Sequence, residues 1–278
     1  MIQKSYEKSN YGNLYLIPTP IGNLDDITKR SIDTLKLVDI VYAEDTRETL
    51  KLLKALGINK KVESCHKYTE MMHKDKIVGI LKEGKNIGYV TDRGTPLISD
   101  PGNIIADEAI KNDINVIALP GANALLPAIN MSGLSNEKFM FYGFLNSKKS
   151  IAKKELIDLR NIKYTIIFYE SPFRIKDTLK LLLEVFGDRK AAIVREISKL
   201  HEEVNRNNIS ELIKYCDNIK GEIVLVVEGN NNVETKEVNY KEEFSELINN
   251  GYTKRDAINE IADKYNISKN KIYDLVKE

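Results

Sequence analysis

Apolar residues in the first 120 positions alternate between short runs and helical spacing. The short runs predict strands, and apolar residues three or four positions apart predict the helices between them. The predicted strands cover 13–17, 40–43, the neighbourhood of Val62, 87–91 and 116–119, and the predicted helices cover 28–38, 46–56, 74–82 and 103–111. This alternation predicts a parallel sheet covered by helices, in which ligands bind beyond the carboxyl ends of the strands.

A second α/β unit is predicted after residue 121. Its apolar segments are a helix over 124–131 and strands over 139–142, 165–169, 191–194 and 223–227. Polar residues rich in Asn follow, and helical spacing resumes towards the end of the chain. We therefore expect an α/β protein with an N-terminal domain over 1–121, a C-terminal α/β domain over 122–230, a linker over 231–240 and a helical module over 241–278.

The composition is that of a globular protein. A length of 278 residues with 42% hydrophobic residues predicts roughly two domains plus an appendage. The net charge of +1 gives no general attraction to nucleic acid, so any such contact must use local patches. Cys65 and Cys216 lie far apart in the sequence, which fits a reducing compartment better than a disulfide framework. No segment approaches the ~20 apolar residues of a membrane span, and the first residues lack the apolar stretch of a signal peptide. We expect a cytoplasmic protein with no membrane role.

The first predicted strand ends in a rigid turn, Pro18-Thr19-Pro20-Ile21-Gly22. Dinucleotide-binding turns use glycines that let backbone amides approach a pyrophosphate, whereas proline has no amide hydrogen. The turn therefore disfavours a nucleotide phosphate. From spacing alone, a strand-ending turn without further function remains an open interpretation.

Two more turns follow predicted strands, at 91–102 and 119–126. In the first, Gly94 can let a ligand approach the backbone, and the carboxylates of Asp92 and Asp100 suit hydroxyl groups or a cationic sulfonium. In the second, small side chains leave room for a planar group such as adenine, although Asn123 is equally suited to cap the following helix. A purely structural role for either loop stays open.

Five segments together point to a known family. In chain order they are 18–24, Ala43-Glu44-Asp45-Thr46-Arg47, 94–102, Phe168-Tyr169-Glu170-Ser171-Pro172 and 195–203. Over roughly residues 12–230 the chain resembles the ribosomal RNA small subunit methyltransferase I family of the tetrapyrrole-methylase superfamily, bacterial enzymes that 2′-O-methylate a cytidine in the decoding region of 16S RNA. The resemblance implies a two-domain tetrapyrrole-methylase fold with S-adenosylmethionine in the cleft between the domains, and a homodimer that acts on 16S rRNA within the small ribosomal subunit.

The resemblance also implies which residues surround the cofactor. They are Pro18, Pro20, Ile21, Asp92, Gly94, Thr95, Leu97, Ile98, Asn123, Ala124, Phe168, Tyr169, Ile223 and Val224. Three residues depart from the family pattern: Arg93 stands where a small residue is usual, Asn123 where Ser is usual, and Phe173 where His is usual. Arg93 bears most directly on the cofactor loop.

Ribose 2′-O-methylation requires that the hydroxyl be aligned with the sulfonium methyl group and that its proton be removed. A carboxylate, a His or a Lys can take that proton. The candidates are Glu44, Asp45, Asp100, Glu170, Lys199 and His201. The sequence does not choose among them, and each is also suited to a structural or substrate-positioning role.

Residues 146–163 hold six Lys and Arg against two acidic residues. Contact with RNA phosphates is the functional interpretation of this excess, and a solvated helix face is the alternative. The expected RNA contacts are Arg47, Lys148, Lys149, Lys153, Lys154 and Arg174. Cys65, His66 and His73 lack the spacing of a metal site, so we expect no metal.

The helical module over 241–278 is similar to a helix-turn-helix, with Thr253 and Ser268 as predicted N-caps. The module has seven Lys and Arg against eight Asp and Glu, so it lacks the positive charge of a helix that reads a DNA groove. This balance favours a packing or RNA-guiding role. Two alternatives to the RNA methyltransferase remain. One is a small-molecule methylase of the same fold, acting on a corrinoid or another tetrapyrrole, and the other is a DNA-binding regulator based on this module.

Overall fold

A computed structural model of the chain describes residues 2–5, 7, 10–230, 240–265 and 267–277. The chain divides between residues 230 and 231 into two compact units, a larger α/β unit and a smaller helical unit. The predicted linker over 231–240 lies outside the described residues except for Tyr240, where a helix begins. Within the larger unit, the segments before and after residue 121 each contain one sheet.

The first sheet is parallel and has helices between its strands. Its strands are β1 (Leu14–Leu16), β2 (Ile40–Ala43), β3 (Lys61–Ser64), β4 (Ile87–Val90) and β5 (Val116–Ala118), in the spatial order β3-β2-β4-β1-β5. The helices are α1 (Lys29–Leu37), α2 (Thr46–Ala55), α3 (Glu70–Lys82) and α4 (Asn103–Lys111). The predicted alternation is thereby confirmed, although α3 begins at residue 70 rather than 74. Two apolar clusters, one on each face of the sheet, form its core.

The helix α4 is capped by a residue far away in the sequence. The carboxylate of the buried Glu70, at the start of α3, accepts hydrogen bonds from the backbone N–H groups of Gly102 and Ile104 at 2.9 and 3.1 Å. A carboxylate is favoured there because its charge offsets the unpaired N–H groups of a helix N-terminus. This cap fixes the end of the loop over 91–102.

The second sheet is mixed. Its strands are β6 (Phe139–Phe144), β7 (Thr165–Glu170), β8 (Lys190–Arg195), β9 (Glu203–Asn208) and β10 (Ile223–Val227), in the spatial order β6-β7-β10-β8-β9. The β6–β7 pair is parallel and the other pairs are antiparallel. The helices are α5 (Leu125–Ser132), α6 (Lys149–Leu159), α7 (Ile175–Phe186) and α8 (Ile209–Tyr215). The strand β9 was not predicted, because it is a mostly polar edge strand with no alternation of apolar residues.

The smaller unit contains the helices α9 (Tyr240–Asn249), α10 (Lys254–Tyr265) and α11 (Lys269–Val276). Ile261, Ala262 and Ile272 form its buried core. The hydroxyl of Thr253 accepts a hydrogen bond of 3.2 Å from the backbone N–H of Asp256, which confirms the predicted N-cap of α10. None of the described helices is long and apolar enough to cross a membrane.

Candidate active site

Three loops at the carboxyl ends of the first sheet are bonded to one another. Thr19, after β1, and Gly94, after β4, exchange backbone hydrogen bonds of 2.9 and 3.0 Å. The hydroxyl of Thr95 donates a hydrogen bond of 3.0 Å to the carbonyl of Ala122, which follows β5. The three sequence motifs at 18–22, 91–102 and 119–126 therefore form one connected surface.

A cavity of about 350 Å³ lies against this surface, within the size range of small-molecule sites. Loops of the first sheet and the turn before α5 contribute Ile21, Arg93, Gly94, Thr95, Ile98, Ser99, Asp100, Asn123 and Ala124. The second sheet and its loops contribute Phe144, Tyr169, Glu170, Ser171, Pro172, Ile197, Gly221, Glu222, Ile223 and Val224. The lining combines apolar and aromatic side chains with Arg93 and three carboxylates. Glu170 and Glu222 have cationic partners, whereas Asp100 forms no ion pair among the described residues, so the cavity suits a ligand with both an apolar part and a cationic part.

Strand alternation separates Phe168 from Tyr169. Tyr169 of β7 pairs with Val224 of β10, and both line the cavity. The neighbouring pair, Phe168 and Leu225, is buried in the core on the opposite face. Of the two adjacent residues expected at the cofactor, the structure therefore brings only Tyr169 to the cavity.

Nine of the fourteen residues expected around the cofactor line the cavity, namely Ile21, Gly94, Thr95, Ile98, Asn123, Ala124, Tyr169, Ile223 and Val224. Pro18 and Pro20 lie in the adjoining turn, and Gly121 is so close to Pro18 that a Cβ there would lie 2.5 Å from the proline Cβ. Leu97 packs against the core of the first sheet. Asp92 accepts a 2.9 Å hydrogen bond from the backbone after β2. Pro18, Pro20, Asp92, Leu97 and Phe168 are therefore not part of the cavity lining.

Phe144 lines the cavity although no strand was predicted there. The register between β6 and β7 shifts between Phe141 and Gly143, and Gly143 has a φ of +83° that favours glycine. After this bulge, Phe144 stands opposite Tyr169, with the two ring centroids 5.6 Å apart. A bulge leaves little trace in apolar spacing, so the sequence pattern ended the strand too early.

Asp100 is a cavity carboxylate whose surroundings favour its protonated form. Burial raises the pKa of Asp100 to about 7, with further contributions from the nearby Glu44 and Asp92 and an opposing one from a hydrogen bond with Thr91. A carboxyl group with a pKa near 7 divides between its two protonation states at neutral pH. It can therefore accept a proton and release it again.

Glu170, the other catalytic candidate in the cavity lining, is held by several partners. Its side chain is only 1% exposed. It accepts hydrogen bonds from the Thr178 hydroxyl at 2.6 Å and the Ser171 backbone N–H at 2.8 Å, and it lies 3.5 Å from the Arg174 guanidinium. These bonds make Glu170 an anchor for the loop between β7 and α7.

Asp45 and Lys199 are engaged in ion pairs outside the cavity lining. The guanidinium of Arg47 lies 2.5 Å from the carboxylate of Asp45, and its hydrogen bonds lower the pKa of Asp45 to about 2. Burial lowers the pKa of Lys199, but its hydrogen bonds to Glu196 and Glu222, each 2.8 Å, outweigh burial, so the pKa is raised overall. Asp45 is therefore a weak base, and Lys199 stays protonated and has no lone pair to accept a proton.

Glu44 and His201 also lie outside the cavity lining. Glu44 is half-buried after β2, and burial together with the charge of Asp92 raises its pKa. His201 is exposed beside a separate surface depression that Arg195 and Tyr215 also line. Among the residues that the structure describes, no three His, Cys, Asp or Glu side chains are placed to hold a metal ion.

A network of ion pairs joins the loops of the two sheets at the cavity. Arg93, from the first sheet, pairs with Glu222, which precedes β10. Glu222 also pairs with Lys199, which pairs with Glu196. In the sequence, Arg93 stood out because it departs from the family pattern. That departure did not show that Arg93 pairs with Glu222.

The basic residues expected to contact RNA fall into two groups. Within the described part of the chain, Lys148, Lys149 and Lys154 form no ion pair, while Lys153 pairs with Glu184 of α7. The arginines are more constrained: Arg47 is bound to Asp45, and the Arg174 guanidinium donates to two backbone carbonyls at 2.9 and 3.2 Å. The three unpaired lysines are thus the basic side chains of this set that remain available to phosphates.

Comparisons with known proteins agree with this geometry. Residues 13–213 match the family described as Tetrapyrrole (Corrin/Porphyrin) Methylases. The chain is 46% identical to ribosomal RNA small subunit methyltransferase I of Bacillus subtilis, over 96% of this chain and 94% of that protein. The protein of the same name from Rickettsia prowazekii is 34% identical, over 95% of each chain.

Solved structures share the fold at low sequence identity. Diphthine synthase superposes with a TM-score of 0.63 at 16% identity, over 78% of this chain and 90% of that one. The methyltransferase CobJ superposes with a TM-score of 0.61 at 14% identity, over 79% of this chain and 95% of that one. The chain belongs to the tetrapyrrole (corrin/porphyrin) methylase family and, within it, groups with the ribosomal RNA small subunit methyltransferase I proteins.

Proposed function

We propose that this protein transfers a methyl group from S-adenosylmethionine to the ribose 2′-oxygen of a cytidine in the decoding region of 16S ribosomal RNA. The observation that carries the proposal is the match to relatives named ribosomal RNA small subunit methyltransferase I along almost the whole chain, at up to 46% identity. The cavity supports it, because its position and lining suit a small cationic donor. We propose the cytoplasm, where ribosomes are assembled, as the place of action, and a homodimer as the active form.

The residues of the cavity fit S-adenosylmethionine in size and chemistry. Ile98 and Ala124 offer apolar surface to the adenine, and Gly94 leaves its backbone open on the cavity side, where a Cβ would lie 3.4 Å from Ile21. The carboxylate of Asp100 complements a positively charged sulfur. The proline-containing turn offers few amides to a phosphate, and this cofactor carries none.

The proposed chemistry assigns a separate task to each charged side chain of the cavity. S-adenosylmethionine, when bound, would supply a methyl group whose bond to the positively charged sulfur breaks as the ribose oxygen takes the carbon, leaving the electron pair on the sulfur. Asp100 accepts the hydroxyl proton as the new bond between oxygen and carbon forms, which its pKa of about 7 permits at neutral pH. Glu170 holds the loop after β7, and Arg93 and Lys199 hold Glu222 at the cavity edge.

The RNA approaches, in this proposal, over the unpaired lysines Lys148, Lys149 and Lys154. A net charge of +1 gives the whole chain no general attraction to RNA, so a local patch has to supply it. The alternative acceptor, a corrinoid or another tetrapyrrole, has no need of such a patch.

The test offers three acceptors to the purified protein with methyl-labelled S-adenosylmethionine: small ribosomal subunits, free 16S RNA and a porphyrinogen. We expect label on one cytidine ribose of the 16S RNA and none on the porphyrinogen. Label on the porphyrinogen alone would replace the proposal by a small-molecule methylase. Binding to duplex DNA without cofactor, together with no methyl transfer, would replace it by a DNA-binding regulator.

A further inference from the structure

Phe173 is unusually exposed at the edge of the cavity. Phe173 is 95% exposed. It directly follows Pro172, which lines the cavity. Single apolar side chains on a surface are common and carry no function by themselves. The surroundings of Phe173 therefore decide what its exposure means.

The loop that carries Phe173 is fastened to the end of β6. The guanidinium of the next residue, Arg174, donates hydrogen bonds to the carbonyls of Leu145 and Asn146 at 2.9 and 3.2 Å. Phe144, directly before Leu145, lines the cavity and is 54% exposed. Arg174 thus holds the loop of Phe173 against the end of β6, and each of these two segments carries an exposed aromatic ring.

Two unpaired lysines follow on the loop after β6. The backbone N–H of Lys148 donates a 2.9 Å hydrogen bond to the side chain of Asn146, and Lys149 begins α6. Neither lysine forms an ion pair in the part of the chain that the structure describes. We call the surface formed by Phe144, Lys148, Lys149 and Phe173 the ledge.

We propose that the ledge binds unpaired RNA beside the target nucleotide, with a base stacked on Phe173 and flanking phosphates on Lys148 and Lys149. This inference rests on the proposed function, because it takes RNA as the substrate. Unpaired bases are recognised by stacking on aromatic side chains, and lysines neutralise the phosphates between them. A symmetric contact with a second copy of the chain is disfavoured, because it would bring the lysines of both copies together.

The test compares Phe173→Ala, Phe173→Tyr and Phe173→His with the parent protein. The substrate is small subunits from cells that lack the methylation, and the readouts are the KM for subunits and the dissociation constant of S-adenosylmethionine. Loss of one base–aromatic stack should raise the KM on the order of 5- to 100-fold in Phe173→Ala. Tyr and His should largely restore it because both rings stack. The cofactor affinity and the salt dependence of KM should stay as in the parent, because stacking neutralises no phosphate.

A matched control is Leu37→Ala, which removes a leucine that is 57% exposed at the end of α1. An unchanged KM in Phe173→Ala would overturn the inference. So would a change in sedimentation that shows Phe173 to hold two copies of the chain together. If the parent protein methylates no ribosomal RNA, the proposed function itself fails, and that outcome is visible before any variant is compared.

Discussion

The loops of the two sheets differ in the charged groups that they leave unpaired at the cavity and beside it. Glu170 and Glu222, the carboxylates that the second sheet brings to the lining, are held in ion pairs, whereas Asp100 of the first sheet forms none within the described residues. Loops of the first sheet bring Asp100 into the lining, with Glu44 and Asp92 close enough to raise its pKa. Loops of the second sheet bring the exposed rings and unpaired lysines of the ledge. Carboxylates suit a cationic methyl donor and the acceptance of a proton, but they repel RNA phosphates. The comparison indicates that methyl transfer and RNA binding are separable by substitutions on different sheets.

The largest effect is expected from removing the proton acceptor on the first-sheet side. Asp100→Asn should slow methyl transfer in a single turnover by about 10²- to 10⁴-fold, the usual contribution of a general base. The KM for subunits should change little, because the ledge is intact. Asp107→Asn makes the same chemical change at an exposed position of α4 and is the control. A single-turnover rate like that of the parent would remove Asp100 from the mechanism.

The next effect concerns the cofactor. Gly94 has a φ of +83°, and a Cβ there would lie 3.4 Å from Ile21. Gly94→Val should therefore weaken S-adenosylmethionine binding at least about tenfold, since the backbone is strained and the side chain enters the cavity. Calorimetry measures the affinity, and the rise of Tm with cofactor gives a second readout.

Gly57→Val separates strain from intrusion into the cavity. Gly57 has a φ of +66°, and a Cβ there would meet no atom within 4 Å, so valine at this position introduces the backbone strain alone. It should lower Tm and leave the cofactor affinity unchanged. Equal cofactor affinities in the two variants would mean that Gly94 does not face the cofactor.

A smaller effect is expected on the second-sheet side. Reversing Lys148, Lys149 and Lys154 to Glu should weaken subunit binding and reduce the slope of log affinity against log salt by about 2, the value for three phosphate contacts on single-stranded RNA. The cofactor affinity should not move.

The matched control replaces Lys36, Lys82 and Lys111 by Glu. These lysines lie at or near the C-terminal ends of α1, α3 and α4. These helix ends precede strands of the first sheet and therefore lie at the edge opposite the cavity. The control changes the net charge by the same amount. If both triple variants bind subunits alike at every salt concentration, only the net charge matters and the basic residues of α6 are a solvated helix face.

The smallest effect is a displacement of the pH profile. Methyl transfer should rise with pH through about 7, because only the deprotonated Asp100 accepts a proton. The charge of Glu44 raises the pKa of Asp100, so Glu44→Gln should lower that pKa and move the acid limb of the rate to lower pH. The plateau at high pH should be little changed. An acid limb that stays in place would mean that another group controls it.

The sequence predicted the first sheet well because strand–helix alternation is a local pattern. It also located the turns around the cavity, since Pro and Gly restrict or extend the backbone wherever they occur. It placed Phe168 and Tyr169 together, although strand alternation sends them to opposite faces. The face that each takes depends on which side of the second sheet packs against the first, and this is a tertiary property.

Other features depend on contacts between distant parts of the chain. Arg93 meets Glu222 across 129 positions, and Glu70 caps α4 from 32 positions away. No periodicity or turn chemistry reports such pairings. The proposal of Asp100 as the base, out of six candidates, likewise rests on the cavity and the neighbouring carboxylates, which only the fold brings together.

The most direct test of the proposed function is a map of ribose methylation in 16S RNA from cells with and without this gene. One cytidine in the decoding region should lose its 2′-O-methyl group when the gene is disrupted. The parent gene should restore the methyl group, and the Asp100→Asn gene should not. An unchanged methylation map after disruption would contradict the proposed function.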